Sequence, residues 1–187
     1  FVAVWVAGQI SADVQAALGM VNQCSILLMV VAMAVSSGAT AAVSQSLGAL
    51  KVMRAQRYIG TTVIGCRGLG LLVALGAALF SDGILRVLMV PESIMPQTRE
   101  MWAASMLGLP AQYLYASTGV MFRATRQVLP PLWVASGVCL CNLLACLGLG
   151  LGWFGLPNMG YMGLIWANVG AQYLGAVCNC ILLARSG

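Results

Sequence analysis

The chain of 187 residues contains no histidine and only four acidic residues, against nine basic ones. The absence of histidine excludes b-type haem ligation, histidine-ligated zinc sites and catalytic pairs in which a histidine acts as the base. Charged residues make up 7% of the sequence, whereas a soluble domain carries roughly 25%. Because so few charges cannot cover the surface of a folded domain in water, the composition excludes a soluble fold.

Apolar residues, in contrast, make up 61% of the sequence, and the mean hydropathy is +0.94. A bilayer core about 30 Å thick requires roughly 20 apolar residues in a helix, so the long apolar runs predict an all-α polytopic membrane protein. We expect a single transmembrane lobe over residues 1–187, a six-helix bundle whose first helix is truncated. The expected spans cover residues 1–7 (in part), 16–47, 58–80, 101–121, 131–153 and 161–184.

The first residue, Phe1, lies within an apolar run, FVAVWVA, that lacks the basic region and the cleavage site of a secretory signal. We therefore expect a fragment that begins inside its first membrane helix. All seven cysteines lie within apolar stretches, where cysteine behaves as a small buried side chain. We expect neither a metal site nor a cofactor.

Basic residues are concentrated in alternate loops between the predicted spans. Six of the nine follow the second, fourth and sixth spans: Lys51, Arg54, Arg57, Arg123, Arg126 and Arg185. The segment 8–13 has no basic residue, and the segment 155–160 has no charge. Since short cytoplasmic loops are rich in Lys and Arg, we expect the basic loops to be cytoplasmic and the protein to lie in the cytoplasmic membrane.

One charged residue, Arg67, lies inside a predicted span, about 13 Å from its start at ~1.5 Å per residue. Charged groups are costly there and are candidates for function, so Arg67 is a candidate anion contact in a cavity. The alternative is a helix window shifted toward Val90, which brings Arg67 near the cytoplasmic surface, where its long side chain reaches water. Gly65, Gly68 and Gly70 make that stretch a poor helix centre and favour the alternative.

Uncharged polar residues provide further candidates. Gln112 and Tyr113 follow Pro110 in the fourth span, in a polar stripe that indicates either the wall of a water-filled cavity or hydrogen bonds between helices. Asn142 and Asn168 lie within the fifth and sixth spans, and each amide requires partners in protein or in water. We predict that these two asparagines face one cavity and contact a substrate or an ion.

Four segments, in their order along the chain, resemble the multidrug and toxin extrusion (MATE) family. They are FVAVWVAGQISADVQAALGM (1–20), SSGATAAVSQSLGALKVMRAQR (36–57), LFSDGILRVLMVPES (79–93) and FRATRQVLPPLWVASGVCLCNLLACLGLGLGWFGLPNMGYMGLIWAN (122–168). They are similar to the end of the family's first helix, to its second helix with the basic loop that follows, to its third-helix exit, and to its fifth and sixth helices. The resemblance covers essentially the whole chain.

The resemblance implies that the chain is the N-terminal six-helix lobe of a twelve-helix transporter. Members of the family export organic cations and other drugs by antiport against Na⁺ or H⁺, and their two lobes rock about a central cavity. The implied partners are the lipid bilayer, a C-terminal lobe and a small-molecule substrate, with no nucleic acid. No cofactor is implied beyond the coupling ion.

The sequence departs from the family at positions that are often involved in coupling. Ala3 stands where many members carry Asp in the first helix, and Cys146 stands where an Asp often follows Asn142 by four residues. Asn168 stands where Thr is frequent. Because neither Asn nor Cys carries a charge at pH 7, we expect this lobe to lack a clear site for Na⁺ or H⁺.

Two other functions stay open. A lipid-linked saccharide flippase of the same superfamily shares the helical plan, but Arg67 is its only candidate for a cationic cavity that binds pyrophosphate. A membrane assembly subunit without a transport path would have a fully packed apolar interior. An enzyme is not expected, because no histidine or acid lies within the spans to act as a base.

Overall fold

The computed structural model describes residues 2–125, 129–151 and 159–186. Within these ranges the regular structure consists of seven helices. Their bounds are α1 Val2–Ile10, α2 Ala12–Gly48, α3 Val52–Leu79, α4 Ser81–Val87, α5 Met95–Ala124, α6 Leu129–Leu151 and α7 Gly160–Ser186.

Four of these helices, α2, α3, α6 and α7, are long and apolar enough to cross a bilayer. Helix α5 has 30 residues, which is about 45 Å at ~1.5 Å per residue, so its length also suffices, although it is less apolar. It packs against α2, α3 and α7, and a helix surrounded by other helices meets little lipid. The chain is therefore a multi-pass membrane protein.

The core of the bundle is built around α5. Three of its four aromatic side chains, Trp102, Tyr113 and Phe122, are buried. The indole Nε1 of Trp102 donates a hydrogen bond to the carbonyl oxygen of Ala77 on α3, at 2.9 Å, which satisfies the one polar atom of that side chain. Helix α5 continues without interruption through Pro110.

Ser11 separates α1 from α2. Its backbone is extended, with φ −166° and ψ 159°, and its side-chain oxygen accepts a hydrogen bond from the backbone N–H of Val14 at 3.1 Å. Serine is among the preferred residues at this position, because its oxygen satisfies a backbone donor that the first turn leaves free. The interruption allows α1 to pack against both α2 and α6.

Helices α6 and α7 pack closely against each other. Gly163 on α7 lies against the backbone of Leu149 on α6, and Gly175 lies where an added Cβ atom would be 2.8 Å from Val138 Cγ2. Ala167 and Ala171, between these two glycines, are both buried. The small residues at four-residue spacing thus form the face of α7 on which its neighbours approach.

The opposite faces of the outer helices expose large apolar side chains. Ile64 and Leu72 on α3, Trp133 on α6 and Leu174 on α7 are between 57% and 76% exposed. Such side chains are stable on a surface only where lipid rather than water surrounds it. These faces are the ones that contact the bilayer.

The structure differs from the expected boundaries in several places; α3 and α5, for example, begin at Val52 and Met95 instead of at residues 58 and 101. Helix α1 extends to Ile10 instead of ending at residue 7, α2 begins at Ala12 instead of at residue 16, and the short helix α4 occupies part of the charged loop. Hydropathy marks only the apolar part of a helix, whereas backbone hydrogen bonds continue through polar residues at its ends. In α4, Asp82 in the first turn and Arg86 in the last turn complement the helix dipole.

Candidate functional site

A cavity of about 70 Å³ lies between α1, α2, α5 and α7. A single water molecule requires roughly 10–15 Å³ measured in this way, so the cavity has room for about five. Its polar lining consists of six uncharged side chains from three helices, Asn22, Ser25, Ser105, Gln112, Asn168 and Gln172. The remaining lining is apolar, and Ala3 is the contribution of α1.

The two serines of the cavity use their donors on their own helices. Ser25 Oγ donates to the carbonyl oxygen of Val21 at 2.9 Å, and Ser105 Oγ donates to that of Met101 at 2.7 Å. Serine and threonine commonly bond the carbonyl four residues earlier when they lie inside a helix. A hydroxyl whose proton is used in this way retains its lone pairs, so the serines offer acceptors to the cavity.

Two amide side chains of α7 are joined across the wall of the cavity. Gln172 Nε2 donates to Asn168 Oδ1 at 2.6 Å, and the two residues are neighbours because they are four positions apart on one helix. The bond leaves Asn168 Nδ2 and Gln172 Oε1 for other partners, one a donor and the other an acceptor. The pair therefore presents both a hydrogen-bond donor and a hydrogen-bond acceptor.

Gln112, another amide of the lining, lies on α5 at the boundary of a second cavity. Its Nε2 donates to the thioether sulfur of Met29 on α2 at 3.3 Å, a weak acceptor. Met29 lines a larger and mostly apolar cavity of about 330 Å³ between α2, α5, α6 and α7. The contact between Gln112 and Met29 thus separates the polar cavity from the apolar one.

Tyr113, predicted to belong to the same stripe, has a different position. Its side chain is fully buried, and its hydroxyl donates to the carbonyl oxygen of Leu28 on α2 at 2.6 Å. On α3, Gly70 leaves room for the ring, since a Cβ atom there would lie 3.1 Å from Tyr113 Cβ. Tyr113 holds α2, α3 and α5 together and is not among the residues that line the polar cavity.

Asn142 and Cys146 form a pair of their own on α6. Cys146 is buried, and its Sγ donates to Asn142 Oδ1 at 3.2 Å. The polar cavity is lined from α1, α2, α5 and α7, and neither residue of the pair contributes to it. The structure therefore places Asn168 in the cavity and Asn142 outside it.

Arg67 lies on α3 with an exposed side chain, and it is not among the lining residues of either cavity. Its neighbour Cys66 is buried, with its sulfur 3.8 Å from Ser36 Oγ on α2. The side chain of Arg67 is thus exposed while the preceding residue packs inside the bundle. Arg67 brings no positive charge to either cavity, and the basic residue that lines the apolar cavity is Arg123.

Four polar residues of the cavity were not identified from the sequence, namely Asn22, Ser25, Ser105 and Gln172. Asn22 and Ser25 are three positions apart, and Gln172 is four positions after Asn168, so each pair shares a helix face. That spacing is the signal that could have identified them. Asn179, which lines the apolar cavity, was missed too; its Oδ1 is buried and has no hydrogen-bond partner within the described residues.

The model of the MatE family matches residues 1–147. The chain belongs to the MatE family. Over 143 residues it is 26% identical to the probable multidrug resistance protein YoeA of Bacillus subtilis (strain 168). The matched region covers 76% of this chain and 31% of YoeA. The fold of this chain is similar to that of a multidrug resistance MATE family transporter of the MOP superfamily in an inward-facing conformation, with a TM-score of 0.84 at 14% identity.

The structural similarity covers 97% of this MatE-family chain but 40% of the solved transporter. The chain thus spans less than half the length of that transporter and about a third of YoeA. The expected all-α polytopic membrane fold, with the architecture of one MATE-like lobe, is confirmed. Ala3, Asn142 and Cys146 lie within the matched range of the family model, and Asn168 follows it.

Proposed function

We propose that this MatE-family chain is the N-terminal lobe of a secondary transporter that exports drugs or organic cations by antiport and alternating access. The observation that supports this function best is the polar cavity between α1, α2, α5 and α7. Six polar side chains that converge inside a membrane bundle are costly to maintain unless they line a path for water or a ligand. From the basic residues of the α2–α3 and α5–α6 connections we infer that both connections lie in the cytoplasm.

Coupling to H⁺ requires a side chain that can titrate, and a carboxylate would be the strongest side-chain ligand for Na⁺; this cavity contains neither. Its lining residues carry no charge, and the position where many family members have an acid is occupied by Ala3. Cys146 on α6 is likewise uncharged and is bonded to Asn142. We therefore assign the Na⁺ or H⁺ site to the part of the transporter that lies outside this lobe.

The structure favours this function over the two alternatives. A saccharide flippase requires basic side chains in its cavity. The polar cavity has none, since Arg67 is exposed on α3 and Arg123 lines the mostly apolar cavity instead. A purely structural subunit would be packed with apolar side chains throughout, whereas the described bundle contains a cavity with six polar ones.

The function is tested with the full-length protein in proteoliposomes that contain no ATP. Ethidium is used as the drug probe. We expect it to accumulate inside the vesicles when the concentration of Na⁺ or of H⁺ is made higher inside than outside, so that the ion leaves as the drug enters. An ionophore that collapses the effective gradient should abolish the accumulation. Transport that requires ATP, or that is equally fast with no gradient, would contradict secondary antiport, and vesicles without protein give the background.

A further inference from the structure

We propose that the polar cavity binds an uncharged group that both donates and accepts hydrogen bonds, such as a carboxamide, in preference to a cationic head group. The inference rests on the proposed transport function, because it names the part of a substrate that this lobe recognises. It follows from the charge, the hydrogen-bonding groups and the size of the cavity.

No charged side chain lines the cavity. The four acidic residues of the chain are Asp13, Asp82, Glu92 and Glu100, and none of them lines the cavity. Asp13 lies in the first turn of α2, Asp82 pairs with Arg99 at 2.6 Å, and Glu100 accepts a hydrogen bond from the Tyr161 hydroxyl. A cation that enters the cavity would lose part of its hydration without an anion beside it, which is costly inside a membrane protein.

The side chains of the lining offer both hydrogen-bond acceptors and hydrogen-bond donors. Ser25 and Ser105 present lone pairs, because their protons are bonded to backbone carbonyls. Asn168 retains the donors of its Nδ2, and Gln172 retains the acceptor Oε1. A carboxamide has two N–H donors and a carbonyl acceptor, so it can pair with the acceptors of the lining as well as with its donors. An ammonium group has donors only and would leave the amide N–H groups of the wall without an acceptor.

The volume of the cavity limits the group that it can hold. A cavity of about 70 Å³ has room for a group of a few heavy atoms, since each water molecule takes roughly 10–15 Å³. The apolar part of the lining, including Leu18, Val21 and Ile165, suits the carbon skeleton to which such a group is attached. The cavity is therefore a subsite for one end of a drug-sized molecule.

The test compares two probes that differ in one group, benzamide and benzylamine, which is protonated at neutral pH. Their dissociation constants are measured on the purified full-length protein in nanodiscs by ligand-observed NMR. We expect benzamide to bind at least about tenfold more tightly, since a site built to hydrogen-bond a group discriminates against analogues that lack it. We also expect its affinity to stay constant between about pH 6 and 8, because no lining side chain titrates in that range.

Two substitutions at one position complete the test. Asn168→Asp is nearly isosteric and adds a carboxylate, so the preference should shift toward benzylammonium, while Asn168→Leu should weaken benzamide binding. Gln23→Leu, at an exposed glutamine of α2, is the matched control and should change neither constant. Equal affinities in the wild type, or benzamide binding that Asn168→Leu leaves intact, would overturn the inference.

These results separate the inference from the function on which it rests. Binding with the stated preference in a protein that fails to transport ethidium under an ion gradient would contradict the antiport function and leave the cavity assignment supported. Transport with a reversed preference would contradict the cavity assignment alone.

Discussion

Drug efflux by the full-length transporter is expected to fall at least about tenfold when Gln172 is replaced by leucine. Leucine is close to glutamine in size but cannot donate to Asn168 Oδ1, a bond of 2.6 Å in the structure. The substitution removes a hydrogen-bonding group from the cavity and leaves the half-buried Asn168 amide without the bond that orients it. The rate of ethidium efflux from cells that express the protein measures the effect.

The matched control for this prediction is Gln23→Leu. Gln23 is an exposed glutamine of α2 and is not among the residues lining the cavity, so its replacement should leave efflux unchanged. Both rates are normalised to the amount of protein in the membrane, which separates a transport defect from a folding defect. Normal efflux by Gln172→Leu at a normal protein level would show that the cavity does not serve transport.

The second large effect is expected on stability, from Gly163→Ala. An added Cβ atom at Gly163 would overlap the backbone carbonyl of Leu149, and backbone atoms cannot move aside by changing a rotamer. Helices α6 and α7 would have to separate, and overpacking of this kind costs typically about 1–3 kcal/mol. The midpoint of thermal unfolding in detergent should fall clearly.

Gly170→Ala, on the same helix, is the control for that measurement. Nothing lies within 4 Å of the Cβ atom that the substitution adds. Alanine is favoured over glycine inside a helix by roughly 0.8–1.0 kcal/mol, so the midpoint should stay the same or rise. Equal changes for the two alanines would contradict the close contact of α6 with α7.

The sequence predicts the membrane helices well because their cause is local. A run such as 58–80 is predominantly apolar, and lipid selects such segments irrespective of what they pack against. Helix ends are less predictable. Nothing in the hydropathy of residues 8–15 shows that Ser11 caps α2, since that depends on the bond from Ser11 Oγ to the N–H of Val14.

The candidate site was predicted only in part, for a different reason. Polar residues inside spans can be identified from the sequence, and Gln112 and Asn168 do line the cavity. Which of them share a cavity depends on how the helices rotate and pack, and that information is not local. Asn142 resembles Asn168 in the sequence, yet its amide is bonded to Cys146 on its own helix.

We expect water to reach the polar cavity inside the lipid-embedded bundle. This expectation is tested most directly by labelling a cysteine introduced at Asn168, in a background in which the seven native cysteines are replaced by alanine. The reagent is a small charged methanethiosulfonate, which reacts from water and not from lipid. Leu174, exposed on the outer face of the same helix, provides the control position.

We expect Asn168→Cys to be modified readily in membranes and Leu174→Cys to stay unmodified. A cysteine at position 168 that stays unmodified from either side of the membrane, in a protein that is folded and present at the normal level, would contradict this expectation.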